Sequence, residues 1–443
     1  MLTAFGRAFR TPDLRRKLLF TLFILAVFRL GSTVPAPGVN YQHVHTCLQL
    51  NKSNSVLALV NLFSGGALLQ LTIFALGIMP YITSSIIIQL LVVVIPRLER
   101  LKEQGQSGQN KLTQYTRYLT VALAILQATG IVALARSGRL LNCSDPTTGQ
   151  NLPLLYSTSV FRIVTLVVVM TAGTAVIMWL GELITDRGIG NGMSLLIFTS
   201  IAARFPQQGS AILQEKGATA FVIVLLVGVL IIVGIVFMEQ GQRRIPVQYA
   251  KRMIGRRMYG GTSTYIPLKV NQAGVIPVIF SSSLLYLPQL LAQVWTSNTG
   301  FTNFVTTYFS PNNPNWLYIL TYAALTMFFT YFYVAITFNP VEVSDNMRKY
   351  GGFIPGIRPG RPTAEYLEYV LSRITLPGAL YLTAVAVLPI LALHYLPGGS
   401  AAGSNQAFPF GGTSVLILVG VGLDTSKQIE SQLMLRNYEG FLR

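Results

Sequence analysis

The sequence predicts an all-α polytopic membrane protein with about ten transmembrane helices. Three observations carry this. The 443 residues are 51% hydrophobic and 11% charged, whereas a soluble globular chain carries about 25% charged residues. Apolar runs recur that are longer than about 18 residues, the length that crosses a hydrocarbon core of roughly 30 Å. These runs are continuous rather than alternating. Lipid offers the backbone no water, so each crossing reads as a helix and not as a strand of a barrel.

Taken in order, the apolar segments fall at 18–34, 72–95, 117–135, 161–183, 191–204, 219–238, 273–295, 316–338, 375–396 and 412–432. The first follows Arg7, Arg10, Arg15, Arg16 and Lys17, which resembles the opening of a signal peptide. Arg29 and the Pro35/Pro37 pair come next and no small-x-small cleavage site appears, so it reads as a retained first span. A half-length piece at 56–71, VLALVNLFSGGALLQL, precedes the second span. It is too short to cross straight, and Gly65-Gly66 interrupts it. It is either a re-entrant half-helix or a surface segment.

Charge placement sets the topology. With the N-terminus in the cytoplasm, 26 Lys and Arg fall in cytoplasmic segments. Six fall outside: Lys52, Arg136, Arg139, Arg162, Arg204 and Lys216. Arg29 lies within the first span. This bias supports ten spans with both termini inside. Ten spans divide into an N-terminal half, 1–204, and a C-terminal half, 205–443. Five spans per half reverse the second half, so repeated halves would be inverted ones. No internal identity is visible. The long connections at 239–272 and 339–374 are cytoplasmic, basic and rich in Gly, Pro and Tyr. The net charge of +18 suits nucleic acid, anionic lipid or an acidic partner.

The spans hold almost no ionisable groups. Glu182, Asp186, Glu239 and Glu430 sit near cytoplasmic ends, Asp424 is deeper, and His394 is near an outer end. Ion-coupled transporters keep such groups at mid-membrane. Asp424 and Glu430 read as helix-end electrostatics or packing between spans. No nucleophile–base pair, phosphate-binding glycine loop or metal-ligand spacing occurs. The sequence therefore offers no catalytic, cofactor-binding or metal-binding residue. Cys47 and Cys143 both fall in outer loops, where disulfides are permitted. They are either bonded to one another or two free thiols.

The second span contains GIMPYITSSIIIQLL at 77–91. Ile78 and Ile82 are four apart and share a helix face, and Pro80 removes a donor and can bend the helix. Met193 and Ile197 repeat the spacing in the fifth span. Ile279 and Ile417 hold comparable places in the seventh and tenth. Each is explained by ordinary packing or lipid contact, while a ring of such side chains could close a pore by dewetting. The loop RRIPVQYAKRMIGRRMYGGTSTYIPLKVN carries seven cations, and the loop at 343–370 presents Arg358 on Gly- and Pro-fixed turns. Topology and lipid anchoring explain these cations. So does docking to ribosomal RNA or to an acidic motor surface.

Long collinear stretches then carry a family resemblance. They are FSGGALLQLTIFALGIMPYI at 63–82, TQYTRYLTVALAILQ at 113–127, MWLGELITDRGIGNGMS at 178–194 and GQRRIPVQYAKRM at 241–253. STYIPLKVNQAGVIPVIF at 263–280, FNPVEVSDNM at 338–347, GGFIPGIRPG at 351–360 and FPFGGTS at 408–414 complete the set. Over nearly all its length the chain resembles the SecY family, the large subunits of the bacterial Sec translocon.

The resemblance implies an hourglass pore between two inverted five-span halves. It implies a channel for unfolded secretory proteins across the bacterial cytoplasmic membrane, with a lateral gate that would release transmembrane segments into lipid. The constriction would be Ile78, Ile82, Met193, Ile197, Ile279 and Ile417. Met193 stands where a branched aliphatic is usual, and its flexible apolar chain keeps a seal. The plug would be the half-helix at 56–71, with Asn61, Phe63, Ser64, Gly65 and Gly66. The gate would open between the second and third spans and the seventh and eighth, with Thr83, Gln127 and Ser283 as polar candidates. Arg256, Arg257 and Arg358 would dock the SecA motor or a ribosome. SecE and SecG subunits, signal peptides, nascent chains and anionic lipids are the remaining implied partners. ATP hydrolysis would belong to SecA, with no cofactor in this chain. A secondary transporter would need a polar cluster at mid-membrane, and a subunit without a pore would not need a plug.

Overall fold

The structure, a computed structural model, describes residues 9, 11–50, 64–138, 140, 152–157, 159–249, 252–254, 257–259, 263–294, 299–309, 315–395 and 412–439. Each of the ten apolar segments carries a helix. In the first half these are α1 (Pro12–Gly31), α3 (Met79–Val94), α5 (Gln106–Arg136), α6 (Val160–Arg187) and α7 (Gly192–Ala202). Between them lie α2 (Tyr41–Leu50) and α4 (Pro96–Glu103). The second half supplies α8 (Phe205–Gln240), α9 (Ile276–Val294), α11 (Trp316–Thr337), α13 (Arg361–Tyr395) and α14 (Gly412–Glu439). The short helices α10 (Thr299–Tyr308) and α12 (Pro340–Lys349) connect them.

Gln106–Arg136, Val160–Arg187, Trp316–Lys349 and Arg361–Leu388 are long and apolar enough to cross a membrane alone. α7 has 11 residues, or about 16 Å of helix at 1.5 Å per residue, which is half a crossing. Two buried threonines of α11 return to the helix's own backbone. Thr326 and Thr330 donate to Tyr322 O and Thr326 O at 2.8 and 2.7 Å. That satisfies each donor without a partner helix.

Local chemistry corrects three sequence expectations. Pro80 does not bend the second span. It sits in the first turn of α3, where its missing N–H costs nothing. The bend lies lower, where α3 and α4 meet at 101°. Ile95 precedes Pro96 and is extended, at φ −102° and ψ 110°, as the pyrrolidine ring requires of its neighbour. The helix also begins at Met79 and not near residue 72. Residues 64–78 form a chain of turns, with Gly65, Gly66, Leu71 and Gly77 all at positive φ. The described part of the 56–71 segment is therefore turns and not helix. It is held by the strand-like return of the chain after α1. Ala36 N donates to Leu71 O and Ile73 N to Val34 O, both at 3.0 Å.

Four apolar clusters order the molecule. One joins the loop after α1 (Val39, Val44, Cys47) to the turns at Leu68–Leu71 and to α5 and α6. A central one gathers residues of α1, α3, α6, α7, α9 and α14. A third packs α8, α9, α11, α13 and α14. The fourth lies under a small sheet.

That sheet joins the two long basic loops, which the sequence reading treated separately. β1 (Gln242–Tyr249) pairs antiparallel with β4 (Ser263–Lys269), and on its other edge with β5 (Gly352–Phe353). β2 (Arg252–Ile254) and β3 (Arg257–Tyr259) form a small ribbon at the tip. Ile245 and Val247 of β1 are buried while Arg244, Pro246 and Gln248 are exposed, the alternation of a half-covered strand. Beneath it lie Leu268, Met347, Ile354, Leu367 and Val370. Above it the Arg244 guanidinium lies 4.8 Å from the Tyr265 ring centre.

Candidate functional site

The six residues of the expected constriction come from four segments far apart in sequence. Ile78 is the N-cap of α3, and the Ile82 N–H donates to its carbonyl at 3.1 Å. The pair therefore stacks on one face of the first turn. At α7, the Asn191 side chain accepts from Met193 N and Ser194 N at 3.1 and 3.4 Å. This cap fixes where the helix starts, and so which face carries Met193 and Ile197. Ile279 lies in the first turn of α9, and Ile417 lies in the second turn of α14. All six meet in the central cluster. Ile78, Ile197, Ile279 and Ile417 are buried there, and Ile82 and Met193 are packed against it half-buried.

Against this cluster stand the turns at 64–66. Of the expected plug residues, Ser64, Gly65 and Gly66 are described, and Asn61 and Phe63 lie outside the described residues. Gly65 and Gly66 have φ of +66° and +97°, which non-glycine residues rarely adopt. The Ser64 hydroxyl accepts from Leu68 N at 3.1 Å. Two residues that the sequence reading passed over meet this turn. Arg29, in the last turn of α1, donates from Nη1 to Gly65 O at 2.9 Å. Arg204, in the turn between α7 and α8, lies so close that a Cβ on Gly66 would sit 2.7 Å from its Nη2. The signal available in sequence was a cation inside an apolar run, which is costly in lipid and marks a special role.

The expected gate residues are placed on the expected helices. α3 packs along α5 and α9 along α11, and where the pairs meet α9 touches α5. Thr83 donates within its own helix, to Met79 O at 2.7 Å. Gln127 and Ser283 are half-buried on α5 and α9.

In the basic loops, Arg256 lies outside the described residues and Arg257 is the first residue of β3. Arg358 is exposed on a tight turn. Thr363 Oγ1 donates to its carbonyl at 2.9 Å, and Ser344 Oγ donates to Gly360 O at 2.7 Å. Through β5 this turn joins the sheet that carries the first basic loop.

The carboxylates tie helix ends together. Glu182 accepts from Arg117 Nε and Nη2 at 2.8 and 2.9 Å, a bidentate pair. Asn271 Nδ2 donates to Glu239 Oε1 at 2.5 Å and to Gly274 O at 3.2 Å. Asp424 is not deep in its span, as expected from sequence. Its carboxylate is 65% exposed and lies 3.5 Å from Lys269 Nζ at the end of β4.

Cys47 is disulfide-bonded and fully buried on α2. The chain's other cysteine is Cys143, which lies outside the described residues. A maleimide should therefore label the intact protein only after reduction; labelling without reductant would contradict the bond.

With this geometry in hand, the chain was compared with known proteins. The profile of the SecY family matches residues 72–426. A protein translocase subunit SecY from Streptomyces scabiei is 63% identical over 449 residues, covering all of both chains. The fold resembles a solved SecY protein whose plug domain stabilises the closed channel and maintains a membrane seal. That match has a TM-score of 0.62 and 16% identity, over 94% of this chain and 91% of the other. It also resembles canine Sec61 from a ribosome–channel complex of the endoplasmic reticulum. There the TM-score is 0.58 and the identity 14%, over 94% and 91% of the two chains.

Proposed function

Because this chain belongs to the SecY family, we propose that it is the protein-conducting channel of a bacterial translocase. Unfolded secretory chains cross through the apolar ring, and transmembrane segments leave sideways into lipid. The observation that carries this reading is the meeting of Ile78, Ile82, Met193, Ile197, Ile279 and Ile417, drawn from both halves of the chain, in one apolar cluster.

The mechanism follows from that cluster. At rest, apolar side chains close the path to ions, and the segment at 56–71 acts as a plug behind them. An arriving signal segment partitions toward lipid between the α3–α5 and α9–α11 pairs, near Thr83, Gln127 and Ser283. Selection is steep there, because a central Leu or Ile gains about 0.3–0.6 kcal/mol while a central charge costs about 2.5–3.5 kcal/mol. Once the plug moves aside, the ring fits around an extended chain. Closure restores the seal.

Nothing in this cycle asks the chain to hydrolyse a nucleotide. Energy would come from a SecA motor or from a translating ribosome, and Arg256, Arg257 and Arg358 are suited to dock either through charge. The ribosome-bound state of canine Sec61 supports a ribosomal partner for this fold. SecE and SecG would complete the complex. The charge bias supports a bacterial cytoplasmic membrane location with both termini inside, and basic segments along that face would hold anionic lipid.

The test is translocation. The chain is reconstituted with SecE and SecG in vesicles, SecA and ATP are added, and protease protection of a secretory precursor is followed. ATP-dependent protection is expected. An assembled complex that gives none would overturn the channel reading. Arg358→Glu is expected to abolish the SecA-driven signal, because it reverses a charge on a fixed turn. Protection retained in that variant would keep the channel and remove Arg358 from the docking surface.

A further inference from the structure

We propose that Arg29 and Arg204 are positioning residues that hold the plug in its closed place, Arg29 by a hydrogen bond to the backbone of the glycine turn at 65–66 and Arg204 by close packing against Gly66. The proposal rests on reading 56–71 as the plug. It adds which groups fix that plug and why they are arginines.

The geometry comes first. Arg29 donates to the Gly65 carbonyl at 2.9 Å and lies 3.4 Å from Ser32 Oγ. The Ser32 hydroxyl in turn donates to Arg29 O at 2.7 Å, so the serine is anchored to the same helix end. A Cβ on Gly65 would lie 3.2 Å from Arg29 Nη1 and 3.2 Å from the Ser200 backbone of α7. A Cβ on Gly66 would lie 2.7 Å from Arg204 Nη2 and 3.2 Å from its Nε. The turn is thus held between the end of α1 and the end of α7, with one guanidinium on each side. Gly65 and Gly66 have φ of +66° and +97°, which a side chain rarely adopts, so the turn itself favours glycine at both places.

The charges come next. Among the described residues, neither arginine has a carboxylate within ion-pair distance. Partly buried cations are ordinarily paired with an anion. Here the partner of Arg29 is a backbone carbonyl. A carbonyl aimed at a guanidinium forms a charge-assisted hydrogen bond, stronger than a neutral one. It exists only while the turn is seated. When the turn leaves, Arg29 loses that acceptor. The bond therefore favours the closed state over the open one, and only such a difference shifts a two-state equilibrium. Neither arginine contributes to the apolar ring.

The experiment measures the resting ion leak of vesicles containing the chain with SecE and SecG, without motor or precursor. Five channels are compared: unaltered, Arg29→Gln, Arg29→Lys, a deletion of residues 57–66, and Arg29→Gln in the deleted channel. Arg29→Gln should raise the leak about tenfold, the scale of one lost charge-assisted hydrogen bond. Arg29→Lys should recover part of this, since an ammonium still donates to one acceptor. In the plug-deleted channel Arg29→Gln should add nothing, because the cycle isolates the shared contact. Melting temperature should be unchanged.

An unchanged leak in Arg29→Gln, with a raised leak on deletion, overturns the grip and keeps the plug. No rise on deletion overturns the plug reading itself. An equal rise from Arg29→Gln in both backgrounds would make Arg29 a packing residue of α1 and overturn the proposal. Should Arg29→Gln fail to assemble, Arg204→Gln is carried through the same cycle with the same outcomes.

Discussion

Ile82→Asn is expected to raise the resting ion leak of the reconstituted complex by about ten- to a hundredfold and to let a precursor with a defective signal through. Ile82 is half-buried against the central cluster, one turn from Ile78. Burying an isoleucine gains about 1.5–3 kcal/mol, and each 1.4 kcal/mol is roughly a factor of ten in an equilibrium. The amide removes that gain from the closed state alone and hydrates the constriction as well. A signal segment then needs less binding free energy to open the channel, so selection relaxes. Leak is read by ion efflux and selectivity by export of the defective-signal reporter. Wild-type values of both would remove Ile82 from the seal.

Gly192→Val should abolish accumulation of the folded protein. A Cβ at Gly192 would lie 1.9 Å from Gly181 O and 2.8 Å from Ile184 Cβ. The obstacle is the backbone of α6, which cannot turn away as a side chain can. Close helix crossings in lipid depend on such small residues. The same approach is used twice, since a Cβ on Gly181 would meet Met193 Sδ at 2.4 Å. Overpacking typically costs about 1–3 kcal/mol and more where backbone blocks relief. The crossing also positions the Asn191 cap, and with it Met193 and Ile197. Gly234→Val is the control, because a Cβ there meets nothing within 4 Å. Size-exclusion yield and melting temperature decide the matter. Equal behaviour of the two variants would mean that α6 and α7 do not cross so closely.

The sheet that joins the basic loops shows where reading the sequence stopped. Its buried positions, Ile245, Val247 and Leu268, lie among arginines, prolines and glycines, so no run is long enough to announce a strand. β5 has two residues and exists only because β1 is there to pair with it. Pro80 and Pro96 pose the same difficulty. Either proline can start or break a helix, and the choice depends on where the preceding residues are already fixed.

By itself the sequence determined the ten apolar segments, their all-helical nature and the charge bias across the membrane. It also determined the interruption at Gly65-Gly66, the empty mid-membrane chemistry and the family resemblance. Those properties follow from local composition, because lipid imposes one solution on any long apolar run and glycine imposes its own geometry. Tertiary structure alone decided that residues 78, 82, 193, 197, 279 and 417 meet in one cluster. It alone brought Arg29 of the first helix to a carbonyl 36 positions away and made a single surface of two loops. A pairing between distant segments leaves no trace in the composition of either one. Its free energy appears only when both surfaces have been taken from water or lipid and placed against each other.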